Sequence, residues 1–221
     1  MLSKYLRYKN IIDQIPPPLD PDECNFGSNS SHWYLTSKNN SDTYIIDDLF
    51  TSDQIAKVLA LGKIIRNERG KTQDQDSDYL KYRKTMVSWL NINSHTEWLY
   101  KIFTNAVFDA NTHFDYELEC IETLQFTIYN SLEEGLHDKH VDPLNWDLPT
   151  NRKITFVLQL SDPSDYEGGD LILWNSRNPR VMEKKLGRLL FFPSNLLHEV
   201  TPVTKGIRYS LVGWVHGPAF K

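Results

Sequence analysis

Leu124-Gln125-Phe126-Thr127-Ile128-Tyr129 and Ile154-Thr155-Phe156-Val157-Leu158-Gln159-Leu160 decide the fold, because in both the apolar side chains fall on every second residue. A strict period of two is the mark of a strand with one face in a core and the other turned elsewhere. Further short strands follow in Leu171-Ile172-Leu173-Trp174, in Arg188-Leu189-Leu190-Phe191-Phe192-Pro193 and in the run from Ile207 to Val215. Upstream the pattern is helical. Thr51 with Gln54 makes a capping box, and Ile55, Val58, Leu59 and Ile65 give an apolar stripe before Gly70. Ser94 with Glu97 reads as a second capping box, opening a helix with the stripe Trp98, Ile102, Phe103, Ala106 and Val107. Tyr44 to Phe50 and Arg83 to Leu90 read as strands, one ahead of each helix. Helices first and many closely spaced strands later predict an α+β chain with a two-sheet β-sandwich or barrel.

Residues 1–43 differ from the rest. Pro16-Pro17-Pro18 and Ser28-Asn29-Ser30-Ser31 interrupt regular structure, so this part is read as an arm packing on the domain formed by 44–221. The polar segment 71–78 is a candidate lid. A chain of 221 residues suffices for one sizeable core. Its net charge of −5 argues against a general nucleic-acid binder. No apolar stretch approaches a membrane span, and the first residues lack the apolar core of a signal peptide. Cys24 and Cys120 are too few for a disulfide framework and read as two free thiols, which points to the reducing cytoplasm.

The chemistry-bearing residues are His140, Asp142 and His198. His140-Val141-Asp142 puts an imidazole and a carboxylate on alternate positions of an extended segment, where both can reach one ion. His198 follows the buried-looking run ending at Pro193. Two imidazoles and one carboxylate form the facial triad of non-haem iron(II) sites, which leaves metal positions open. Arg208 opens the apolar strand running to Trp214, and a guanidinium there needs an anionic partner such as a dicarboxylic co-substrate. The other histidines (His32, His95, His113, His216, and His137 in an apparent loop) read as ordinary hydrogen-bonded residues. Gly168-Gly169 reads equally well as simple turn chemistry or as part of the site.

Taken in order, Tyr129, His140-Val141-Asp142, Arg152-Lys153-Ile154-Thr155, Gly168-Gly169-Asp170-Leu171, Arg188 to Phe192, His198-Glu199-Val200 and Arg208 to Trp214 resemble the prolyl 4-hydroxylase family of iron(II)/2-oxoglutarate-dependent dioxygenases. The likeness includes the oxygen-sensing hydroxylases of animals and their prokaryotic and viral relatives, and spans roughly 44–218. It implies a distorted double-stranded β-helix (jelly roll) buttressed by N-terminal helices. It further implies Fe(II) held by His140, Asp142 and His198, with 2-oxoglutarate and O2 as co-substrates and ascorbate as an accessory reductant. Arg208 stands where the family anchors the distal carboxylate of 2-oxoglutarate, with Tyr129 and Trp214 near the co-substrate. Arg83 and Arg152 stand where relatives carry basic residues beside the substrate groove. Gln159 departs from the pattern, since the animal oxygen sensors place a second co-substrate tyrosine there; an amide would have to donate in its stead. The resemblance implies hydroxylation of a proline in a peptide or protein. The alternatives are another amino-acid side chain, a small molecule or an alkylated nucleic acid as substrate, a non-catalytic jelly-roll binding module, or a zinc hydrolase reusing the triad. A hydrolase has no use for an arginine placed to hold a dicarboxylate.

Overall fold

The computed structural model describes residues 41–71, 79–142, 150–175 and 179–218. The arm at 1–43 lies outside this set save its last three residues, as do Cys24, His32 and all but Lys71 of the candidate lid. In chain order the elements are β1 (Tyr44–Ile46), α1 (Ser52–Ile64), β2 (Glu68–Arg69), the short α2 (Tyr79–Tyr82), β3 (Met86–Leu90), α3 (Glu97–Phe114), β4 (Cys120–Ile121), β5 (Leu124–Asn130) and β6 (His137–His140). Then come β7 (Thr150–Gln159), β8 (Tyr166–Gly168), β9 (Leu171–Trp174), β10 (Arg180–Val181), β11 (Leu189–Pro193), β12 (Leu197–Val200) and β13 (Val203–Pro218). Among the described residues the strands form two sheets, one of nine strands in the order β1-β11-β7-β13-β5-β3-β2, with β4 and β8 also paired to β13. The other has four, in the order β10-β9-β12-β6. The pairs these strands make are all antiparallel.

The two-residue period sorts the major sheet into two chemically different faces. On one, Phe126 of β5, Ile154, Phe156 and Leu158 of β7, Leu189 and Phe191 of β11 and Leu211 of β13 join Ile55 and Val58 of α1 and Leu99, Phe103, Ala106 and Val107 of α3 in a single apolar core. The ring centroids of Phe103 and Phe156 lie 4.7 Å apart at its centre. On the other face Leu190 and Phe192 of β11 meet Leu171 and Leu173 of β9 and Val200 of β12, closing the minor sheet over part of the major one. The rest of that face (Thr127, Tyr129, Thr155, Arg208, Ser210 and Trp214) is mostly polar and lines a cavity.

Several boundaries differ from expectation for local reasons. β1 stops at Ile46 because Asp47 pairs bidentately with Arg188, at 2.8 Å to each oxygen, and Asp48 turns the chain at φ 58°. Thr51 caps α1 as expected: Gln54 N donates to Thr51 Oγ1 at 3.2 Å, and Gln54 Oε1 accepts from Thr51 N at 2.8 Å. The expected box of Ser94 with Glu97 is absent. Asn93 Oδ1 accepts from His95 N at 2.8 Å and Thr96 Oγ1 accepts from Asn93 N at 3.0 Å, so a side-chain-stabilised turn precedes α3, and its cap, Thr96, makes no side-chain capping bond. The strand expected from Arg83 begins only at Met86; Arg83 makes an isolated bridge to His137. Cys120 is free and exposed. Among the described residues no helix is long and apolar enough to cross a membrane.

Glu122, between β4 and β5, ties three strands together. Arg152 of β7 donates to both its oxygens, Nε at 2.6 Å and Nη2 at 2.7 Å, and His216 of β13 meets the same carboxylate. Burial pushes this carboxyl up, but the hydrogen bonds from His216 and Arg152 outweigh it and hold the group at about 2. The folded state therefore binds fewer protons than the unfolded chain between the ordinary value of 4.5 and about 2. The stabilisation is complete above that window and is lost as pH falls through it. Glu122→Gln should melt below the parent at neutral pH, with the gap narrowing as acid is added; a gap independent of pH would contradict the pairing. A second prediction concerns Gly62, where an added Cβ would sit 2.3–2.6 Å from the Phe126 ring atoms. Gly62→Ala gains about 1 kcal/mol of helix propensity but overpacks a buried ring, at a cost of about 1–3 kcal/mol. Overpacking wins, so urea denaturation should show a less stable protein.

Candidate metal centre

His140 and His198 are direct register partners on the adjacent strands β6 and β12, so their side chains leave the same face of the minor sheet. Asp142 sits just past β6, where its backbone N–H donates to Ser194 O at 3.0 Å. These placements bring Asp142 Oδ1 to 3.9 Å from His140 Nε2 and Asp142 Oδ2 to 3.7 Å from His198 Nε2. All three candidate ligand atoms lie within 4.8 Å of one another, close enough to share one ion.

The surroundings suit that ion. His140 Nδ1 lies 2.7 Å from Asp138 O and His198 Nδ1 lies 2.8 Å from Leu196 O. A carbonyl can only accept, so each ring carries its proton on Nδ1 and turns the Nε2 lone pair toward the shared point. Burial, followed by the neighbouring His198, holds His140 down to about 4, which keeps it neutral and ready to ligate at neutral pH. Thr155 Oγ1 donates to Asp142 Oδ2 at 2.6 Å and also lies 3.0 Å from Ser194 Oγ. The carboxylate is thus aimed by a hydroxyl from the major sheet, as an outer-shell partner orients a metal ligand. Two imidazoles and one carboxylate on one side of a partly open cavity fit a divalent ion with open positions.

That cavity measures about 730 Å³ and takes in His140, Asp142, His198, Tyr129, Arg208 and Trp214 along its walls. Arg208 is 3% exposed, and its polar contact is a long 3.5 Å approach from Nη1 to Ser210 Oγ. Its guanidinium carbon lies 5.0 Å from the Tyr129 ring centroid. Among the described residues no carboxylate is within ion-pair distance of it, which leaves a buried cation asking for an anion. Trp214 packs on Trp89 at 6.5 Å, and its buried indole N–H makes no hydrogen bond among the described residues.

The two arginines expected beside the substrate do reach the cavity wall, but with their donors engaged. Arg83 donates from Nε to Thr85 Oγ1, from Nη1 to Lys71 O and from Nη2 to Gln125 Oε1, at 2.8–3.0 Å. Arg152 is held by Glu122 and lies flat on Trp214, 4.0 Å from its centroid. Gln159 stands apart from the large cavity. Its Nε2 faces Ser161 O at 3.3 Å and the Tyr166 hydroxyl at 2.7 Å, so both amide protons are committed inside the protein. A direct bond from this amide to a co-substrate, expected from its position, is not what the geometry offers.

Three residues at or near the site carry little or no signal in the sequence. Thr155 appears there as a polar position of the β7 alternation and as the end of the Arg152-Lys153-Ile154-Thr155 run, with no role of its own assigned. Tyr166, before the double glycine, has no spacing signal. His137, expected in a loop, begins β6, and its ring stacks on that of His140 with centroids 3.5 Å apart. Residues three apart on a regular strand face opposite ways. Here His140 pairs with His198 and His137 with Val200, so β6 holds one extra residue, and that bulge turns both rings to one side. Burial, followed by Arg83 and the neighbouring imidazoles His140 and His198, lowers His137 well below the ordinary histidine value.

Residues 124–216 match the family model of the 2OG-Fe(II) oxygenase superfamily. A PKHD-type hydroxylase of Synechococcus sp. (strain JA-2-3B'a(2-13)) is 45% identical over 62 residues, 28% of this chain and 28% of the relative. One of Synechococcus elongatus is 33% identical over 112 residues, 50% of this chain and 48% of the relative. The chain thus matches less than half the length of either. Among solved structures, a prolyl hydroxylase from Trichoplax adhaerens, in complex with a hypoxia inducible factor oxygen degradation domain peptide fragment, has a TM-score of 0.67 at 20% identity. That likeness covers 80% of this chain and 84% of the other. A Pseudomonas putida prolyl-4-hydroxylase has a TM-score of 0.65 at 19% identity, covering 79% of this chain and 92% of the other. The matched segment holds all three residues of the triad and Arg208, so this part of the chain is similar to the 2OG-Fe(II) oxygenase superfamily at its candidate site.

Proposed function

We propose that this protein is an iron(II)- and 2-oxoglutarate-dependent dioxygenase that hydroxylates a prolyl residue of a peptide or protein. The observation that carries the reading is the coincidence, in one cavity, of the His140–Asp142–His198 triad and a buried arginine with no carboxylate of its own among the described residues. We read the two-sheet architecture, with α1 and α3 against the major sheet, as the distorted double-stranded β-helix of that superfamily. When bound, iron(II) supplies the redox chemistry by which O2 and the decarboxylation of 2-oxoglutarate to succinate and carbon dioxide put one oxygen atom into a C–H bond, with ascorbate as accessory reductant.

The chain's own residues have definite tasks on this reading. His140, Asp142 and His198 hold the metal on one side. Thr155 and the carbonyls of Asp138 and Leu196 fix the ligand orientations. Arg208 pairs with the distal carboxylate of 2-oxoglutarate, its planar fork matching two oxygens at once, with Tyr129 as the wall beside it. Val157, Leu171 and Val200 line the cavity with apolar surface that limits water. We read the cavity wall formed by Trp89 and Trp214, with Arg152 against Trp214, as the part that meets a substrate chain. A proline fixes its own φ and lacks an N–H, so a segment containing it presents ring carbons at low ordering cost. The solved neighbours described as prolyl hydroxylases, one of them with a peptide bound, support this choice.

Purified protein should bind one Fe(II) or Mn(II), and His198→Ala should lose it. Thr155→Val should weaken metal binding or turnover by about 10–100-fold while leaving the fold intact. Arg208→Ala leaves a carboxylate unpaired at a cost of about 2–5 kcal/mol, seen as weaker 2-oxoglutarate binding with metal binding retained. For substrate, the enzyme is incubated with a proline-containing peptide library, free proline, nucleosides and small amines, and products are weighed by mass spectrometry. A gain of one oxygen on a peptidyl proline is expected. Oxygen confined to a non-peptide product would overturn the prolyl assignment, and no turnover of 2-oxoglutarate with any substrate would overturn the dioxygenase.

A further inference from the structure

We propose that Tyr166 is a co-substrate-binding residue: its hydroxyl, turned by Gln159, is the second donor beside Arg208 for the distal carboxylate of 2-oxoglutarate. This rests on the preceding reading of Arg208 and goes beyond it by naming a residue from a different strand.

The inference begins with the orientation of one amide. Gln159 Nε2 lies 3.3 Å from Ser161 O, an atom that only accepts, so the nitrogen and not the oxygen of the amide points that way. Its other proton then goes to Tyr166 Oη at 2.7 Å. A phenol oxygen that accepts from an N–H must offer its own proton in another direction. Tyr166 makes no other hydrogen bond among the described residues, so that proton is unclaimed although the residue is only 4% exposed. Buried hydroxyls almost always find a partner, and an unclaimed one beside a ligand cavity points to the ligand.

Tyr166 lies in the right neighbourhood. Tyr166, Gln159 and Arg208 line a small cavity of about 30 Å³, which shares Val157, Leu171 and Arg208 with the larger cavity of the metal centre. A liquid water occupies roughly that volume, so the space admits the end of a ligand and not its body. Gly169 makes the approach possible. At φ +61°, a Cβ there would come within 3.0 Å of Arg208 Cδ and 3.3 Å of Tyr166 Cε2, so both side chains converge over its bare backbone. Lys184 Nζ lies 4.9 Å from the centroid of the Tyr166 ring, itself pinned by Gly168 O at 2.5 Å and Asp170 Oδ1 at 2.8 Å. The ring is thereby held, and the hydroxyl has little freedom to swing elsewhere. A guanidinium and an O–H in one small, mostly dry space make a recess for a carboxylate. Gln159 is the positioning residue of this pair, acting through Tyr166.

The test uses the full chain loaded with Mn(II), and calorimetric titration with 2-oxoglutarate and with 2-oxopentanoate, which carries a methyl group in place of the distal carboxylate. Tyr166→Phe should weaken 2-oxoglutarate binding by about 10–100-fold, the worth of a hydrogen bond to a charged group. It should leave 2-oxopentanoate and Mn(II) binding unchanged. Gln159→Glu should weaken 2-oxoglutarate at least as much, because a carboxylate there would accept the Tyr166 proton and repel the ligand. Unchanged 2-oxoglutarate affinity in Tyr166→Phe, with the expected loss in Arg208→Ala, would sink the Tyr166 assignment alone. Equal losses for both keto acids would reduce Tyr166 to a structural role. A parent protein that binds the two keto acids equally would overturn the Arg208 reading and this one together. Mn(II) binding and melting curves for each variant separate these outcomes from a failure to fold, and if Tyr166→Phe does not fold, Gln159→Glu decides.

Discussion

The hydrogen bond from Thr155 to Asp142 is the contact on which the site depends, because it joins two sheets that otherwise hold separate parts of the candidate metal centre. His140 and His198 belong to the minor sheet, where strand pairing fixes their spacing. Asp142 follows β6 but is steered from the major sheet, by Thr155 and by the backbone of Ser194 at the end of β11. A carboxylate with two oxygens and free rotation could face many ways. Accepting from Thr155 through Oδ2 restricts it to the few that also face the imidazoles. The sheets are held in that relation by Leu190 and Phe192 packed on Leu171, Leu173 and Val200. A one-residue slip of β6 against β12 would carry His140 to the outer face, away from His198. The packing between sheets is therefore part of the metal site.

The alternation that builds this arrangement is plain in the sequence, since Ile154, Phe156 and Leu158 can serve only a core, and Thr155, Val157 and Gln159 must face the other way. The ligand trio is legible for a related reason: two of its members alternate on an extended segment, and the third follows an apolar run. Features set by departures from regularity, or by contacts distant in sequence, are not legible in this way. One extra residue in β6 moves His137 beside His140, and no residue type announces a bulge. Ser94 and Glu97 match a capping pattern, but Asn93 and Thr96 capture the turn first, a competition between short polar side chains that a spacing rule does not weigh. Tyr166 meets Gln159 because β7 and β8 both lie alongside β13, and nothing near Tyr166 in the chain signals that.

The arginines show how the protein separates structural from functional charge. Arg188 and Arg152 each meet a carboxylate bidentately and serve to fasten strands. Arg83 is buried among neutral acceptors, and burial lowers its affinity for its proton, yet its three nitrogens all have partners. Arg208 alone of these four has, among the described residues, neither a carboxylate nor a full set of neutral acceptors. Keeping a guanidinium in that condition is costly. It is tolerated where a ligand completes it, and that contrast within one chain is a stronger argument than the burial of Arg208 by itself.

Charge balance leads to the same ligand from another side. Asp142 is the buried carboxylate of the cavity wall, and Arg83 and Arg208 are buried cations on it with no carboxylate partner among the described residues, so a divalent ion at the triad would add to an excess of positive charge. A dicarboxylate supplies two negative charges against that excess, where a monocarboxylate of the same length supplies one. On the proposed reading, such a ligand would set one anionic group near the triad and the other at Arg208. The overall charge of −5 does not oppose this, because it is spread over a surface screened by salt. Inside the cavity the screening is weak, and the few charges there decide which molecule stays.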